Sequence, residues 1–468
     1  MSARGPRVGE PQVARVVLHV DLDAFFVSVE RRRQAPELRE QPLIVGSPGP
    51  RGVVLCASYD ARALGVHAGQ PVSRARRLCP RALVLPPDHQ EYGLASRGVM
   101  ESLFALARAV EPAGLDEAYL DVSGSGIHED PTALAHRIRA RIAEEQELSC
   151  SVGIGPNKLV AKLASAAAKP DARGGGILAV DAREVGEFLR PLAARALPGI
   201  GPRTAELLDR YGLRTVADLA DTAPETLRRL LGHAAGTRLS RYARGVDERA
   251  VIPYRRERSI GAERTFPADT DDPEAIGRVL LALAGECAGR LRAEGLTART
   301  VVLKLNLSSR APGGATAAAR TASPGRGDAD ADAGAGAAPG GGRALSRSRT
   351  LPVPVDLSRE IHAHALELYR GLRLVRPRVR LVGIRLEGLA PAGPRQLSLG
   401  GFGGFGGFGP GAEGGEGGAG AAGNAADRAE DWRAVERTLD KVADRFGPAA
   451  VRPATLLPAD RERRGPAA

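Results

Sequence analysis

The chain has 468 residues, 43% of them hydrophobic and only 4% aromatic, with a formal net charge of +11. That length allows about three to four domains, and an isoelectric point near 10.0 points to a polyanionic partner, nucleic acid before an acidic membrane surface. Four scattered cysteines (Cys56, Cys79, Cys150, Cys287) with no CxxC pair exclude a disulfide framework and fit a reducing cytoplasm, while the absence of an apolar signal core or of about 18 uninterrupted apolar residues predicts no secretion and no membrane span.

After a flexible N-terminus expected over 1–14, residues 15–24 read as a strand running into a helix at FFVSVERRR. Residues 42–88 mix short strands, PLIVG and GVVLCAS, with a helical ARALG…QPVSRARRL stretch. A helix near 90–108 precedes a short strand in AYLDVSG, the amphipathic TALAHRIRARIAEEQ, a strand in SCSVGIG and a helix in NKLVAKLASAAAK. This α+β pattern ends near 185, and residues 186–248 read as a small all-helical unit. A second α+β unit over about 256–388 carries the strands RTVVLKLNLS and RVRLVGIRLEGL. It is interrupted at 311–343 by a low-complexity tract too poor in apolar residues to fold. A further glycine-rich run covers about 400–426, and a last helix, DRAEDWRAVERTLDKVADRFG, stops at Gly447-Pro448.

The chemistry begins in LHVDLDAFF. Period-two alternation puts His19, Asp21 and Asp23 on one face of the first strand and Leu18, Val20 and Leu22 on the other. A second acidic pair, Asp116 and Glu117, opens another short apolar strand in LDEAYLDVSG. Either pair alone reads as a strand-end cap or a solvated edge. Together, two acidic strand ends could converge on Mg²⁺, which takes a few carboxylate oxygens plus water and substrate phosphates. Two such ions suit an in-line phosphoryl displacement. Adjacent strand residues face opposite ways, so Asp116 and Glu117 share one site only where the strand start is distorted.

Lysine is rare in this arginine-rich chain, and three of its lysines, Lys158, Lys162 and Lys169, fall within NKLVAKLASAAAKP, roughly on one helix face. A solvated surface is the plain reading; beside an acidic metal site, contact with a triphosphate is the sharper one. Farther on, LPGIGPRTAELLDRYGLRTVADL resembles a helix-hairpin-helix element. Its Gly199-Ile200-Gly201 turn lets backbone N–H groups approach a phosphate, and Pro202 starts the next helix. Such contacts hold the DNA backbone without reading sequence.

HVDLDAFFVSVE, CASYDARALGVHAGQP, LDEAYLDVSG, SVGIGPNKLVAKLASAAAKP and the LPGIGPRTAELL hairpin follow the order and spacing of the Y-family DNA polymerases, and most resemble the bacterial DNA polymerase IV (DinB) branch. The resemblance spans about 15–390. It implies an α+β multidomain right-hand polymerase: palm over 15–30 and 89–185, fingers over 31–88, a helical thumb over 186–248, and a little finger over 249–390 holding the 311–343 insertion. A glycine-rich linker over 391–427 and a C-terminal helix and tail over 428–468 follow. The implied activity is low-fidelity, template-directed DNA synthesis across damage, a nucleotidyl transfer on two Mg²⁺ ions without a proofreading exonuclease. The implied catalytic residues are Asp21, Asp116 and Glu117, holding the metals together with the Leu22 carbonyl, while Asp23 matches a position that does not usually ligate. Phe26 matches the steric gate that excludes a 2′-OH by overlap. Tyr59, Arg62 and Lys169 match the nucleotide site, and Phe25 is grouped with them, although core packing of a helix start is the plainer reading of that ring. DNA contacts are implied for Gly199, Gly201 and Arg203 in the hairpin and for Arg255, Arg256 and Arg258 in YRRERSIGAERTF, the basic link into the little finger.

Two features depart from the pattern. Gly114 replaces the serine usual in S-x-D-E, and RQLSLGGFGGFGGF resembles a sliding-clamp-binding peptide with Gly400 in place of its aromatic anchor. Gln396, Leu397, Leu399 and Phe402 would make that contact, and the implied partners are primer-template DNA, deoxynucleoside triphosphates and a sliding clamp, for a monomer free of membrane. The rival readings are a non-catalytic adaptor, opposed by the intact carboxylates, and a DNA-binding repair protein working through the hairpin. The second leaves Phe26 and the lysine cluster without a role.

Overall fold

Leu18, Val20 and Leu22 bury one edge of the first strand and His19 and Asp21 line the other, so two unlike layers must cover it. The computed structural model describes residues 15–35, 40–47, 49–124, 130–170, 175–254, 257–308, 342–393, 420–447, 450–451 and 453–456, with side chains of the last helix from 431. It divides into two units, Met1–Arg255 and Arg256–Ala468.

In the first unit β1 (Val17–Leu22) turns into α1 (Phe25–Arg33). A small sheet of β2 (Leu43–Gly46), β3 (Val54–Ala57) and β4 (Leu83–Leu85) follows, in the order β3-β2-β4, with α2 (Tyr59–Ala63) and α3 (Val72–Leu78) between its strands. Then come α4 (His89–Leu106), β5 (Ala109–Pro112), β6 (Glu117–Asp121), α5 (Pro131–Gln146), β7 (Cys150–Gly155), α6 (Lys158–Ala167) and β8 (Ile177–Ala179). The larger sheet runs β5-β6-β1-β7-β8, with β1 antiparallel to both β6 and β7. Leu18, Val20 and Leu22 pack with Leu120 and Val152 against Val99, Leu103, Leu134, Ile138 and Ile142 of α4 and α5. On the opposite face α6 lies close: a Cβ on Gly153 would fall 2.0 Å from the Ala161 carbonyl oxygen, so glycine in SVGIG is what admits the helix.

Helices α7 (Val185–Leu189), α8 (Pro202–Arg210), α9 (Val216–Asp221), α10 (Pro224–Leu231) and α11 (His233–Ala243) share a core of Leu189, Leu197, Leu208, Leu219, Leu227 and Leu239. The chain after them stays with the first unit. Asn157 donates to the Gly245 carbonyl at 2.9 Å, and the Ile252 N–H donates to Glu111 at 2.7 Å. Residues from 249, expected to open the little finger, are therefore tied down here as far as Ile252.

The second unit is a sheet of β9 (Ser259–Thr270), β10 (Leu296–Leu307), β11 (Arg343–Val355) and β12 (Val379–Glu387) in the order β11-β10-β12-β9, with a short strand at Ala390–Pro391 pairing β10. Two helices, α12 (Pro273–Ala293) and α13 (Ser358–Gly371), cover one face through Ile276, Leu280, Leu283, Ile361 and Ala365. Arg343 opens a strand rather than closing the low-complexity insertion, and the basic link runs into the edge strand β9 at Ser259. The final helix α14 (Gly420–Phe446) begins at Gly420 rather than at 428.

Candidate active site

The two acidic strand ends meet at one end of the larger sheet. Asp21 pairs in register with Glu117, and the Leu22 N–H donates to the Asp116 carbonyl at 2.8 Å. Asp116 lies in the bend before β6, and Glu117 is the first residue of that strand. The strand alternation is thus broken at Asp116, one residue before β6 begins. Burial of its carboxyl, followed by the facing Asp21 carboxylate, raises the Asp116 pKa above the ordinary aspartate value. Leu22 buries its side chain in the core, which leaves only its carbonyl for any ligand role.

Glu117 is turned toward α6. Its Oε2 receives Lys162 Nζ and lies 3.2 Å from His19 Nε2, and the buried His19 presents Nδ1 to Ser165 Oγ at 2.6 Å. The His19 ring at 3.2 Å, and then the hydrogen bond from Lys162, hold the Glu117 carboxyl down at about 2, against the opposing effect of burial. Among the described residues no three His, Cys, Asp or Glu side chains converge as ligands for one ion. Asp21 and Asp116 nonetheless suit Mg²⁺, which is held by one or two carboxylates plus substrate phosphates rather than by a complete protein cage.

Lys169 reaches from beyond α6 to Asp21 Oδ1 at 2.5 Å, with Asp23 3.9 Å away. Asp23 is buried and accepts from Ser151 Oγ at 2.8 Å and from Tyr59 OH at 3.4 Å. It acts as the post that joins α2 to the sheet. Arg62 stacks over the Tyr59 ring at 4.9 Å and donates to the Ala57 carbonyl at 2.9 Å. The expected nucleotide residues Tyr59, Arg62 and Lys169 therefore gather around one pair of aspartates.

Three expectations fare differently. Phe25 buries its ring in the core, the plainer of its two readings, at the start of α1 where Ala24 supplies no side-chain cap. Phe26 is half-buried and stacks on Tyr92 with ring centroids 4.2 Å apart. Lys158 and Lys162, the other lysines of the cluster, are engaged elsewhere: Lys158 is buried against Glu111 at 2.7 Å and lies over the Tyr119 ring, and Lys162 holds Glu117. The face they share points at the sheet. Tyr92, Glu111 and Ser151, the first residue of the SVGIG motif, are the partners that sequence reasoning missed. Gly114 comes close to the carboxylates, since a Cβ there would stand 3.3 Å from Asp116 Oδ1.

The hairpin forms as expected. Gly199 adopts a φ of +97°, Ile200 is buried beneath the turn, and Pro202 begins α8 with Gly201 as its N-cap. Arg203 and Arg258 are exposed. Arg255, Arg256 and the clamp-like Gln396, Leu397, Leu399 and Phe402 lie outside the described residues. Among those described, all four cysteines are free thiols, and no helix is long and apolar enough to cross a membrane.

Comparison with known proteins agrees with this geometry. Residues 20–166 match a family described as impB/mucB/samB and residues 257–399 its C-terminal domain, and 195–247 match a DNA polymerase-iota thumb domain. A DNA polymerase IV of Halorhodospira halophila is 46% identical over 293 residues, covering 62% of this chain and 81% of that protein. A chimera of the Y-family DNA polymerases Dbh and Dpo4 superposes with a TM-score of 0.64 at 28% identity, covering 80% of this chain and 98% of the chimera. An insertion ternary complex of Dbh DNA polymerase has a TM-score of 0.53 at 26% identity with the same coverages, 80% and 98%. Palm, fingers, thumb and little finger, DNA-directed DNA polymerase activity, and DNA and nucleotide substrates follow from these likenesses. The chain belongs to the DinB-type branch of the Y-family DNA polymerases.

Proposed function

We propose that the polymerase performs low-fidelity translesion synthesis in the cytoplasm, as a monomer without proofreading, within the palm, fingers, thumb and little-finger boundaries expected from the sequence. The observation that carries the catalytic reading is the meeting of Asp21 and Asp116 at adjacent strand ends, locked by the 2.8 Å bond from Leu22 and flanked by Lys169. Asp21, Asp116 and the Leu22 carbonyl would hold Mg²⁺, with Glu117 on the primer side. Two such ions supply charge stabilisation to the attacking and leaving oxygens. The chain's own residues do the positioning. Lys169 offers a point charge and Arg62 a fork to the leaving phosphates, with Tyr59 fixed between them by Asp23. The uncapped N–H groups at the start of α1, including that of Phe25, are further donors for the triphosphate. Phe26 presents its ring to the sugar.

The hairpin turn at Gly199 and Gly201, with Arg203, would hold the DNA backbone, and Arg255, Arg256 and Arg258 would follow it. Gln396, Leu397, Leu399 and Phe402 would engage a sliding clamp. Their replacement by alanine should remove clamp stimulation and spare basal synthesis. Primer extension with Mg²⁺ tests the central reading: Asp116→Ala should fall by at least about 10³-fold with folding intact. Extension by that variant at the wild-type rate would remove the enzyme reading of these carboxylates.

A further inference from the structure

Glu30 is a buried carboxylate one helical turn beyond Phe26 on α1, on the same face. A carboxylate taken out of water needs donors, and its nearest is the hydroxyl of Tyr92 on α4, which reaches Glu30 Oε1 at 2.6 Å. Tyr92 has no exposed surface, and its ring lies on Phe26 at 4.2 Å with the planes only 16° apart. One side chain therefore bridges two positions of α1: its hydroxyl is held by Glu30 and its face carries Phe26. His89 closes the cluster edge-on, 6.3 Å from Phe26 and 5.9 Å from Tyr92.

A ring that discriminates by overlap does so only as far as it resists being pushed aside, and the surroundings would allow retreat. A cavity of about 410 Å³ lined by Glu30, Arg33, Leu85, Asp88 and His89 adjoins the cluster. Arg33 on its wall is 3.8 Å from the second Glu30 oxygen and 3.0 Å from Asp88, so Glu30 is steadied from the cavity side as well. We infer that Glu30 and Tyr92 are positioning residues for sugar selection: the buried hydrogen bond between them fixes the plane on which Phe26 rests and so sets how firmly a ribonucleotide is refused. This rests on the reading of Phe26 as the ring beneath the sugar.

The test is the ratio of kcat/KM for a deoxynucleotide to that for the matching ribonucleotide. Both are measured on one preparation, so the fraction of folded enzyme cancels. Phe26→Ala should collapse the ratio by about 10²-fold or more. Tyr92→Phe, which keeps the ring and removes only the hydroxyl, should lower it by about five- to tenfold, less than the full worth of a hydrogen bond to a charged acceptor because the bond acts on the sugar only through the Phe26 ring. Glu30→Ala should do the same, and Glu30→Gln, which can still accept from Tyr92, should recover most of the ratio. In Tyr92→Phe, a further Glu30→Ala change should add little, because both act through one bond. An unchanged ratio in Tyr92→Phe and Glu30→Ala, with the ratio lost in Phe26→Ala, overturns the inference and leaves the gate standing. A full ratio in Phe26→Ala removes the gate reading and the inference with it.

Discussion

In the first unit one carboxylate, Glu111, holds the ammonium of Lys158 at 2.7 Å and takes the Ile252 N–H at 2.7 Å, with side-chain exposures of 7% and 3% for the pair. In the second unit one guanidinium, Arg292, gathers Glu436, Asp440 at 2.7 and 2.8 Å and the Asp356 carbonyl at 2.8 Å, and Asp440 stays 33% exposed. The first arrangement is dry, small and shared by a sheet edge, a helix start and a returning strand of chain. The second is spread over several acceptors, from the buried Glu436, which also takes the Ser358 N–H at 3.0 Å at the start of α13, to the wetter Asp440, where α14 lies on α12. The dry pair tolerates the loss of neither member, because the survivor is a buried unpaired charge; in the second cluster Glu436 keeps the Ser358 N–H and hydroxyl and Asp440 keeps water.

That contrast predicts the largest effect for Glu111→Ala. It should cost the first unit about 3–5 kcal/mol, read as lost hydrogen-exchange protection in β5 and α6 while the second unit keeps its own. The double change Glu111→Leu with Lys158→Met should regain most of the loss. A cost below about 1 kcal/mol for Glu111→Ala would mean that water reaches the pair after all. Next in size, Arg292→Ala should cost about 1–3 kcal/mol and release α14 alone, with protection in α12 and β10 retained. If the helix and the sheet lose protection together, the wet cluster is as integral as the dry one.

A third effect depends on pH. Burial lowers the pKa of His19 in the first unit, and burial likewise lowers those of His362 and His364 in the second. Below the ordinary histidine value of about 6.5 the unfolded chain binds protons that the folded histidines refuse, so stability is full above that range and falls as pH drops through it. His19 has no exposed surface, whereas burial is only partial around the other two, so the fall should be steeper per histidine in the first unit. His19→Gln should flatten the first unit's profile between about pH 7.5 and 5 and leave the second's unchanged.

What the sequence made legible follows the same division. Strand-end carboxylates, the glycine turn at 199–201 and the α1 aromatics are local patterns, and Asp21, Asp116 and Phe26 could be singled out from a dozen residues around each. The partners that hold them are distant: Tyr92 is 62 residues from Glu30, Lys158 is 47 from Glu111, and Ser151 is 128 from Asp23. The lysine face of α6 reads as solvated or phosphate-facing because nothing local shows that it meets the sheet, where Glu111 and Glu117 take Lys158 and Lys162. In the second unit β11, whose first residue Arg343 reads as the end of the low-complexity tract, is not singled out by sequence because it is an edge strand with mostly exposed side chains, so the apolar alternation that marks a strand is missing.

The smallest effect belongs to an ion pair that has good geometry and no burial. Arg190 forks onto Asp221 with bonds of 2.9 and 2.7 Å, better formed than many buried contacts, but the two side chains are 51% and 63% exposed. Both ions keep their hydration when apart, so bringing them together gains little, and salt screens what remains. Arg190→Ala should therefore leave stability nearly unchanged, against several kcal/mol for Glu111→Ala at a similar bond length. Denaturant unfolding of the two variants under one salt condition makes the comparison directly. Equal losses would show that bond geometry rather than dryness sets the strength of these pairs.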